Sequence, residues 1–488
     1  MAARELIGRI VDAGSFVCWD EPLGAPPEDP GYRAALARAR ERAGGLDEAV
    51  TTGRALLAGR PVALVASEFA FLGGSIGVAT AERITRAVER ATSERLPLIA
   101  LPVSGGTRMQ EGAAAFLCMV RVTAAVQAHQ AAGLPYLSYL RNPTMGGVFA
   151  SWGTLGHLVL AEPGARLGFL GPRVYEQLRG EPLPPDVQLA ETLAARGLLD
   201  AVVPQEHLRE VLRRALDVLA QPPAAEAVPP GPAPRAQAPD PWDAVRRTRR
   251  PDRPGARQLL DRAAEGLLSL DGEGALVRAL VRFDGRPAVV VGQQRQEGTG
   301  ARPFTAADLR LVRRSARMAE QLGLPLVTLV DTAGAELSAE AELDGIAIEI
   351  ARCLTTLVAL RTPVLAVLLG QGSGGGALAL LPADRVLAAE HAWLAPLPPE
   401  GASAIVHRDG DHAAELARSQ GIGAADLAAV GLVDEVVAEL PDAAEEPAAF
   451  CARVGHAVAA ALTDLTAVPA PERLAARALR HRRLGSPR

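Results

Sequence analysis

Residues 95–106 read RLPLIALPVSGG, and residues 323–334 read GLPLVTLVDTAG. In each stretch an apolar run typical of a β-strand ends in small residues. About forty positions later a second such run ends in a glycine pair, Gly146-Gly147 or Gly375-Gly376. Three pairs of landmarks keep one separation of 228 positions: Pro97 and Pro325, Gly106 and Gly334, and Pro135 and Pro363. A constant separation indicates an internal duplication.

Length and composition set the number of domains and the classes of partner. A chain of 488 residues exceeds the size at which one hydrophobic core usually splits, and 49% hydrophobic residues can fill two cores. The net charge of -5 is small, and no long basic stripe occurs, which excludes nucleic acid bound through phosphate neutralisation. The sequence therefore predicts two domains and no nucleic-acid partner.

Cysteine usage and the apolar segments indicate a compartment. Cys18, Cys118, Cys353 and Cys451 are far apart, no Cys-x-x-Cys pair occurs, and the histidines are not clustered, which argues against a zinc site and disulfide bonds. The first residues lack a continuous apolar signal region, and the apolar windows elsewhere are interrupted by Gly, Pro or charge. We expect a soluble cytoplasmic protein with no bound metal and no membrane partner.

The 51 basic residues are all arginine, because the chain contains no lysine. This excludes Schiff-base chemistry and a lysine general base. It also excludes a biotin or lipoyl group attached through a lysine amide of this chain. Any such group must arrive on another protein.

Breaks in composition give the domain limits. Residues 221–241 are rich in Pro and Ala without apolar periodicity, which predicts a linker between domains 1–220 and 242–488. Each domain opens with a turn between two strand-like runs, at residues 59–61 and 284–287. Amphipathic patterns predict helices over 81–93 and 306–321.

The alternation of strands and helices predicts an α/β fold with a mixed sheet flanked by helices in each half. A glycine pair at the junction of a strand and a helix lets a ligand oxygen approach the backbone N–H groups without a Cβ in the way. Such a pair is a candidate cup for an oxyanion. The alternative is that the glycines only allow close packing of strand and helix.

The motifs resemble the carboxyltransferase component of acetyl-CoA carboxylase, with its β and α subunits fused in that order. The β-like segments are 68–77, 104–112, 142–148 and 168–174. The α-like segments are 241–245, 250–254, 331–335, 370–378 and 399–401. The resemblance covers nearly the whole chain.

This resemblance implies two tandem crotonase-like (ClpP/crotonase) spiral domains. It implies a reaction centre between the N-terminal half of one protomer and the C-terminal half of another. Gly105 and Gly106 would hold the thioester oxygen of acyl-CoA, and Gly376 and Ala377 the ureido oxygen of biotin. A homodimer or larger homo-oligomer is expected.

Further candidates follow from the same resemblance, each beside a structural alternative. Gly73, Gly74, Gly146 and Gly147 would line the acyl-CoA site or serve as packing glycines. Arg108 and Arg173 would meet CoA phosphates or pair with carboxylates. The biotin side would comprise Ala333, Gly334, Gly375 and Glu400, where Glu400 alternatively caps a helix. We expect structural roles for His157, His391 and His407.

The resemblance predicts an enzyme that moves a carboxyl group from carboxybiotin to an acyl-CoA, with malonyl-CoA or a substituted analogue as product for fatty-acid or polyketide synthesis. The expected partners are a biotin carboxyl carrier protein and biotin carboxylase, because the chain has no biotinylation motif. The zinc-ribbon cysteines of many β subunits are absent, and residues 333–338 depart from the α-type pattern. A malonyl-thioester decarboxylase and a non-catalytic scaffold subunit are the alternatives.

Overall fold

The computed structural model describes residues 1–21, 28–220, 238–270, 276–293, 295–296, 300–301 and 303–482. The chain divides into two compact units, Met1–Leu216 and Asp217–Arg488. Most of the linker predicted over 221–241 lies outside the described residues, so the predicted domain limits remain a prediction.

The first unit is built on a mixed sheet of seven strands among its described residues, in the order β1-β2-β3-β4-β5-β7-β9. Neighbours from β1 to β3 are antiparallel, and the others are parallel. The strands of this unit are β1 (Val17–Cys18), β2 (Val50–Leu57), β3 (Arg60–Ser67), β4 (Leu98–Leu101), β5 (Tyr136–Leu140), β6 (Thr144–Met145), β7 (Leu158–Ala161), β8 (Leu167–Gly168) and β9 (Ala201–Val202). The short strands β6 and β8 pair with each other.

Helices cover this sheet. They are α1 (Ala3–Ile10), α2 (Pro30–Arg42), α3 (Val78–Ser93), α4 (Gly112–Ala131), α5 (Gly146–Phe149), α6 (Pro172–Arg179), α7 (Ala190–Ala195) and α8 (Gln205–Ala220). The predicted helix over 81–93 is confirmed as part of α3, which buries Ile84, Ala87, Val88 and Ala91. One apolar stripe against the sheet accounts for this burial.

The second unit repeats the arrangement with an eight-stranded sheet in its described part. The path is β10-β11-β12-β15-β16-β17-β19, and β18 pairs with β16. The strands are β10 (Glu265–Ser269), β11 (Leu276–Phe283), β12 (Arg286–Gln293), β13 (Arg295–Gln296), β14 (Gly300–Ala301), β15 (Leu326–Thr332), β16 (Val364–Ser373), β17 (Arg385–Ala389), β18 (Trp393–Ala395) and β19 (Glu435–Val437). The two predicted hairpins are confirmed as β2–β3 and β11–β12.

The helices of this second half follow the same alternation. They are α9 (Pro241–Thr248), α10 (Ala256–Ala263), α11 (Ala306–Leu322), α12 (Ala339–Leu343), α13 (Ile346–Ala359), α14 (Gly374–Leu378), α15 (Pro399–Val406), α16 (Ala413–Ser419), α17 (Ala424–Ala429), α18 (Pro447–Ala467) and α19 (Ala470–Arg482). The predicted helix over 306–321 is confirmed as α11, whose buried side includes Leu309, Val312, Ala316 and Ala319.

Two helical stretches, Met109–Ala131 and Pro447–Ala467, are long and apolar enough to cross a membrane by length and composition. The second contains α18, whose buried residues pack on α10 and the sheet as a core helix does. On the first, Phe116, Leu117 and Val120 are 61–67% exposed. An exposed apolar face of this kind marks an interaction surface more often than a free one.

Candidate functional site

The turn after β4 holds the first predicted pair, Gly105 and Gly106. The N–H of Gly105 donates to the Gly73 carbonyl at 2.8 Å. The N–H of Gly106 donates to Ser104 Oγ at 3.0 Å, and that hydroxyl returns a 3.3 Å bond to the Gly106 carbonyl. Both amides thus have acceptors within this unit. That they face a thioester oxygen stays a prediction.

The pair Gly146 and Gly147 begins α5 beside the β4 turn. Both glycines are half-buried, and the first N–H groups of a helix have no intrahelical acceptor. The register of the parallel pair β6–β8, with Met145 opposite Gly168, directs the Gly146 N–H to the Gly168 carbonyl. Gly146 has a φ of +61°, and a Cβ on it would lie 3.3 Å from Gly106 Cα. The glycines therefore bring the start of α5 against the β4 turn.

The turn after β15 in the second unit has the same hydrogen bonds as the turn after β4. The N–H of Gly334 donates to Thr332 Oγ1 at 3.0 Å, and this hydroxyl donates to the Gly334 carbonyl at 3.1 Å. Phe304 N–H reaches the Gly334 carbonyl at 2.9 Å, as Ile76 N–H reaches Gly106 at 2.9 Å. Each partner lies 228 positions after its counterpart. The duplication thus includes the local chemistry of the turn.

The glycines that begin α14 are the counterparts of Gly146 and Gly147. Gly374 has a φ of +60°, and a Cβ on it would lie 3.4 Å from the Pro396 carbonyl oxygen. Gly374 and Gly375 are half-buried, whereas the predicted donors Gly376 and Ala377 are buried. Sequence analysis missed Gly374, although the separation of 228 positions from Gly146 was a signal that could have found it.

Other predicted glycines are packing residues in this structure. A Cβ on Gly74 would lie 2.1 Å from the Val103 carbonyl oxygen, so this position requires glycine for close approach. Gly73 accepts the hydrogen bond from Gly105, and its own Cβ position is nearly open. These contacts favour the packing alternative for Gly74 and a supporting role for Gly73.

Arg108 lies in the interior and not at a surface that CoA phosphates reach. Its side chain is 1% exposed and makes two bonds to Glu48, at 2.7 and 3.0 Å. It also donates to the Ser75 carbonyl and to Thr80 Oγ1. Burial would lower the pKa of Arg108, but the hydrogen bonds and charge of Glu48 outweigh it and raise that pKa. These contacts favour the carboxylate-pairing alternative for Arg108.

The remaining predicted charges differ in how far the structure describes them. The side chain of Arg173 lies outside the described part, while its backbone is in α6. Glu400 is in the first turn of α15 without a capping bond, and both its oxygens bind Arg249, at 2.5 and 3.0 Å. The hydrogen bond from Arg249 lowers the pKa of Glu400. Glu400 is therefore an ionised, half-exposed carboxylate tied to α9.

The segment after Gly334 is ordered despite its unusual sequence. Ala333 is exposed, Glu336 N–H donates to the Phe304 carbonyl at 2.8 Å, and Ser338 caps α12 through Ala341 N–H at 3.1 Å. Leu337 between them is 88% exposed. The departure from the α-type pattern thus preserves a defined backbone path beside Gly334.

Asp331 stabilises the turn that contains Gly334. Its side chain is 1% exposed and accepts the Gln371 N–H at 2.9 Å. A Cβ on Gly370 would lie 2.6 Å from Asp331 Oδ1, so glycine there leaves room for the carboxylate. Asp331 therefore ties the end of β15 to β16, which leads into Gly374.

A buried ion pair, Arg253 and Glu439, lies next to β16. Arg253 makes two 2.7 Å bonds to Glu439 and donates to the Leu369 carbonyl at 3.0 Å. His391 Nδ1 is 2.9 Å from Glu439. Burial alone would raise the pKa of Glu439, but Arg253 outweighs it and lowers that pKa. These contacts give His391 the structural role that we expected.

Two further histidines make local contacts. His157 Nδ1 accepts the Tyr136 N–H at 3.0 Å, and His407 stacks on His412 with ring centroids 4.2 Å apart. Within the described ranges, no three His, Cys, Asp or Glu side chains form a group that could hold a metal ion.

Comparison with known proteins assigns the family. The model of the carboxyl transferase domain matches residues 1–475. The chain belongs to the carboxyl transferase family. It is 58% identical over 485 residues to the probable biotin-dependent acyl-coenzyme A carboxylase beta3 subunit of Mycobacterium tuberculosis (strain ATCC 25618 / H37Rv), covering 98% of this chain and 97% of that protein.

A second relative is the acetyl-coenzyme A carboxylase carboxyl transferase subunits beta/alpha of Salinispora arenicola (strain CNS-205). It is 41% identical over 517 residues, with 100% of this chain and 91% of that protein covered. Together these relatives confirm a carboxyltransferase enzyme of the biotin-dependent acyl-CoA carboxylase type. The predicted preference for acetyl-CoA is not tested by them.

Solved structures agree on the fold. The crystal structure of transcarboxylase 12S, a hexamer, has a TM-score of 0.74 at 22% identity and covers 96% of this chain and 90% of that chain. A single-chain, multi-domain long-chain acyl-CoA carboxylase has a TM-score of 0.67 at 21% identity. The match covers 93% of this chain and 45% of that chain. The predicted tandem crotonase-like fold is confirmed.

Proposed function

We propose that this carboxyltransferase moves a carboxyl group from carboxybiotin to the α-carbon of an acyl-CoA, with acetyl-CoA as the first substrate. The observation that carries this proposal is the duplicated turn. Gly146 and Gly374 have nearly the same φ, +61° and +60°. A transfer between two carbonyl compounds needs two sites that stabilise charge on oxygen, and a duplicated turn supplies two.

The N–H of Gly147, at the start of α5, is the proposed donor to the thioester oxygen. Negative charge grows on that oxygen when the α-proton leaves. One N–H donor aimed at that oxygen can lower such a barrier by roughly 3 kcal/mol. The engaged amides of Gly105 and Gly106 instead fix the turn against which Gly146 packs.

The turn at Gly374, Gly375 and the predicted Gly376 is the proposed cradle for the ureido oxygen of biotin. A biotin fits here because Gly374 and Gly375 are only half-buried, so that a ureido oxygen can reach the turn from solvent. The chain has no lysine to carry biotin, so the group arrives on a separate carrier. Carboxybiotin would supply the carboxyl group by cleavage of its N–C bond to that group, and the biotin left behind would accept the proton removed from the acyl α-carbon.

The hydroxyl groups near the turns do not act as bases in this proposal. Ser104 and Thr332 donate their protons to the carbonyls of Gly106 and Gly334 and accept the N–H of the same residues. Each hydroxyl is thereby spent on shaping its turn. The chain contributes orientation and charge stabilisation, which supply much of the barrier reduction in such reactions.

A homo-oligomer accompanies this function. Val120 on α4 and Ile348 on α13 occupy equivalent positions of the duplication and are 67% and 58% exposed. Phe116 and Leu117 extend the first apolar face. We infer that another copy of the chain covers each face, because apolar patches of this size are rarely left in water.

The test of the activity uses the purified full chain with a carboxylated biotin carrier protein and a panel of acyl-CoAs of increasing chain length. We expect transfer to acetyl-CoA or to a slightly longer acyl-CoA. Decarboxylation of malonyl-CoA without biotin, in the absence of transfer, would favour the decarboxylase alternative. No acyl-CoA binding by calorimetry would favour the scaffold alternative.

A mixing experiment tests whether two copies share each reaction centre. Gly146→Ala and Gly374→Ala are each expected to be nearly inactive. If one copy supplies the first turn and another the second, the mixture recovers up to about a quarter of the wild-type rate, because half of randomly paired dimers carry one intact centre. No recovery after subunit exchange would contradict shared centres.

A further inference from the structure

A cavity in the first unit lies apart from the glycine turns. Its volume is about 340 Å³, and it is bounded by α1, the segment leading into β1, and β2. Small-molecule sites begin at about this volume. The residues of its wall that matter here are Arg4, Ile7, Val11, Phe16, Cys18 and Thr51.

The wall is largely apolar and depends on one glycine. Ile7 on α1 and Val11 directly after this helix line the cavity, and Phe16 lies across β2. A Cβ on Gly53 would lie 2.6 Å from the Phe16 ring, so the missing side chain lets the ring lie on the strand. The cavity therefore offers an aromatic and aliphatic surface to the body of a ligand.

Thr51 adds a hydroxyl group without a partner. The residue is fully buried, and its Oγ1 makes no hydrogen bond among the described residues. Successive strand residues face opposite sides, so Thr51 shares the side of Gly53 and Phe16, while Thr52 faces away and binds Asp20 at 2.7 Å. A buried hydroxyl without a partner costs about 1–3 kcal/mol, which a ligand atom would recover.

The two charged residues at the cavity, Asp12 and Arg4, differ in whether they already have partners. Asp12 accepts bonds from the N–H groups of Ala58 and Gly59, at 3.0 and 2.7 Å, and from Arg209 at 2.6 Å. Arg4 is exposed and forms no ion pair with any residue in the described part of the chain. The available charge is thus positive, and it selects an acidic head group.

We propose that this cavity binds a medium-chain carboxylic acid with a polar group at the far end of its chain. The carboxylate pairs with Arg4, the chain lies against Ile7, Val11 and Phe16, and the distal polar group bonds the Thr51 hydroxyl. Each part of this ligand meets a feature of the cavity that the protein alone leaves unused.

Cys18 provides the readout, because it lines the cavity and is exposed. Cys353 and Cys451 are buried, so a Cys118→Ser background leaves Cys18 as the accessible thiol. Burial raises the pKa of the Cys18 thiol, so the alkylation is run near pH 9, where more thiolate is present. A bound ligand should slow alkylation at this position.

Three matched probes separate the contacts: 8-hydroxyoctanoate, octanoate without the distal hydroxyl, and 1,8-octanediol without the charge. We expect 8-hydroxyoctanoate to protect Cys18 at concentrations about tenfold below either of the others, since one hydrogen bond or ion pair contributes about 1.4 kcal/mol. Equal protection by all three, or none at millimolar concentration, would overturn the proposal.

Two variants identify the residues. Thr51→Val keeps the shape and should make 8-hydroxyoctanoate no better than octanoate. Arg4→Gln, at an exposed position, should weaken both acids about tenfold and leave the diol unchanged. Carboxyl transfer should be unaffected in Arg4→Gln, because Arg4 belongs to neither glycine turn. Unchanged discrimination among the probes in both variants would overturn the proposal.

Discussion

Gly106 and Gly146 approach so closely that a Cβ on Gly146 would lie 3.3 Å from the Cα atom of Gly106. A Cβ on Gly106 would lie 3.6 Å from Gly146 Cα, and both residues have positive φ, +114° and +61°. The turn after β4 and the start of α5 therefore touch through bare backbone. The direction of the Gly146 amide depends on this contact.

Gly146→Ala should impair carboxyl transfer far more than folding. The positive φ costs about 1–2 kcal/mol of unfolding free energy with any side chain. The new methyl group also pushes the peptide between Gly146 and Gly147 away from Gly106, which displaces the proposed Gly147 donor, and losing one oxyanion donor lowers kcat roughly a hundredfold. Urea unfolding and transfer kinetics measure the two effects.

Gly133→Ala is the matched control, because Gly133 has a φ of +71° with nothing within 4 Å of its Cβ position. It should lose similar stability and keep its activity. Equal loss of activity in both variants would make Gly146 a folding residue only.

Thr332→Val should destabilise the second unit. The valine keeps the shape but removes the acceptor of the buried Gly334 N–H, which costs about 1–3 kcal/mol. Thr332→Ser keeps the hydroxyl and should retain most of the unfolding free energy. A valine variant as stable as the serine variant would mean that the Thr332 hydroxyl does not support the turn.

Glu48→Gln should destabilise the first unit without changing the KM for acyl-CoA of the folded protein. It leaves the buried Arg108 charge without its main partner, and breaking such a pair costs about 3–5 kcal/mol. Glu5→Gln, in an exposed pair with Arg9, should change stability by less than about 0.5 kcal/mol. A raised KM with unchanged stability would restore a CoA contact for Arg108.

Stability should fall as the pH drops below about 6.5, and His157 should account for part of the slope. Burial lowers the pKa of His157 to about 4 from 6.5 in the unfolded chain. Above pH 6.5 the side chain is neutral in both states. Between about 6.5 and 4 the unfolded chain binds a proton that the folded protein refuses, which costs up to about 1.4 kcal/mol per pH unit.

The variant His157→Asn should reduce this slope in urea unfolding measured between pH 7.5 and 5. Burial also lowers the pKa of His129, so His129 should preserve part of the slope. His207→Asn, at an exposed position, is the control. An unchanged slope in His157→Asn would mean that folding does not lower the pKa of His157.

Much of the fold follows from the sequence. The strands β4 and β15 and the faces of α3 and α11 were predicted because burial on one side imposes a period on apolar residues. The repeat was predicted because equal folds need glycine and proline at equal positions, as Gly106 and Gly334 illustrate. Local requirements of the backbone of this kind depend on the identity of single residues, so the sequence reveals them.

The site was predicted only in outline. The sequence located the glycine pairs, but it assigned the donors to Gly105 and Gly106, whose amides bind Gly73 and Ser104 instead. It offered Arg108 as a CoA ligand, whereas Glu48 holds it in the interior. Ser104 is a near neighbour of Gly106, but Gly73 and Glu48 come from distant parts of the chain, and composition and spacing do not reveal such partners.

The sequence by itself determined that this protein has two copies of one α/β architecture with glycine turns at matching places. Those features depend on short-range rules of backbone freedom and apolar period. Only the tertiary structure decided which acceptors the turn amides bind and which charges are buried. A hydrogen bond or an ion pair depends on the atom that folding brings within 3 Å, and that atom comes from another part of the chain.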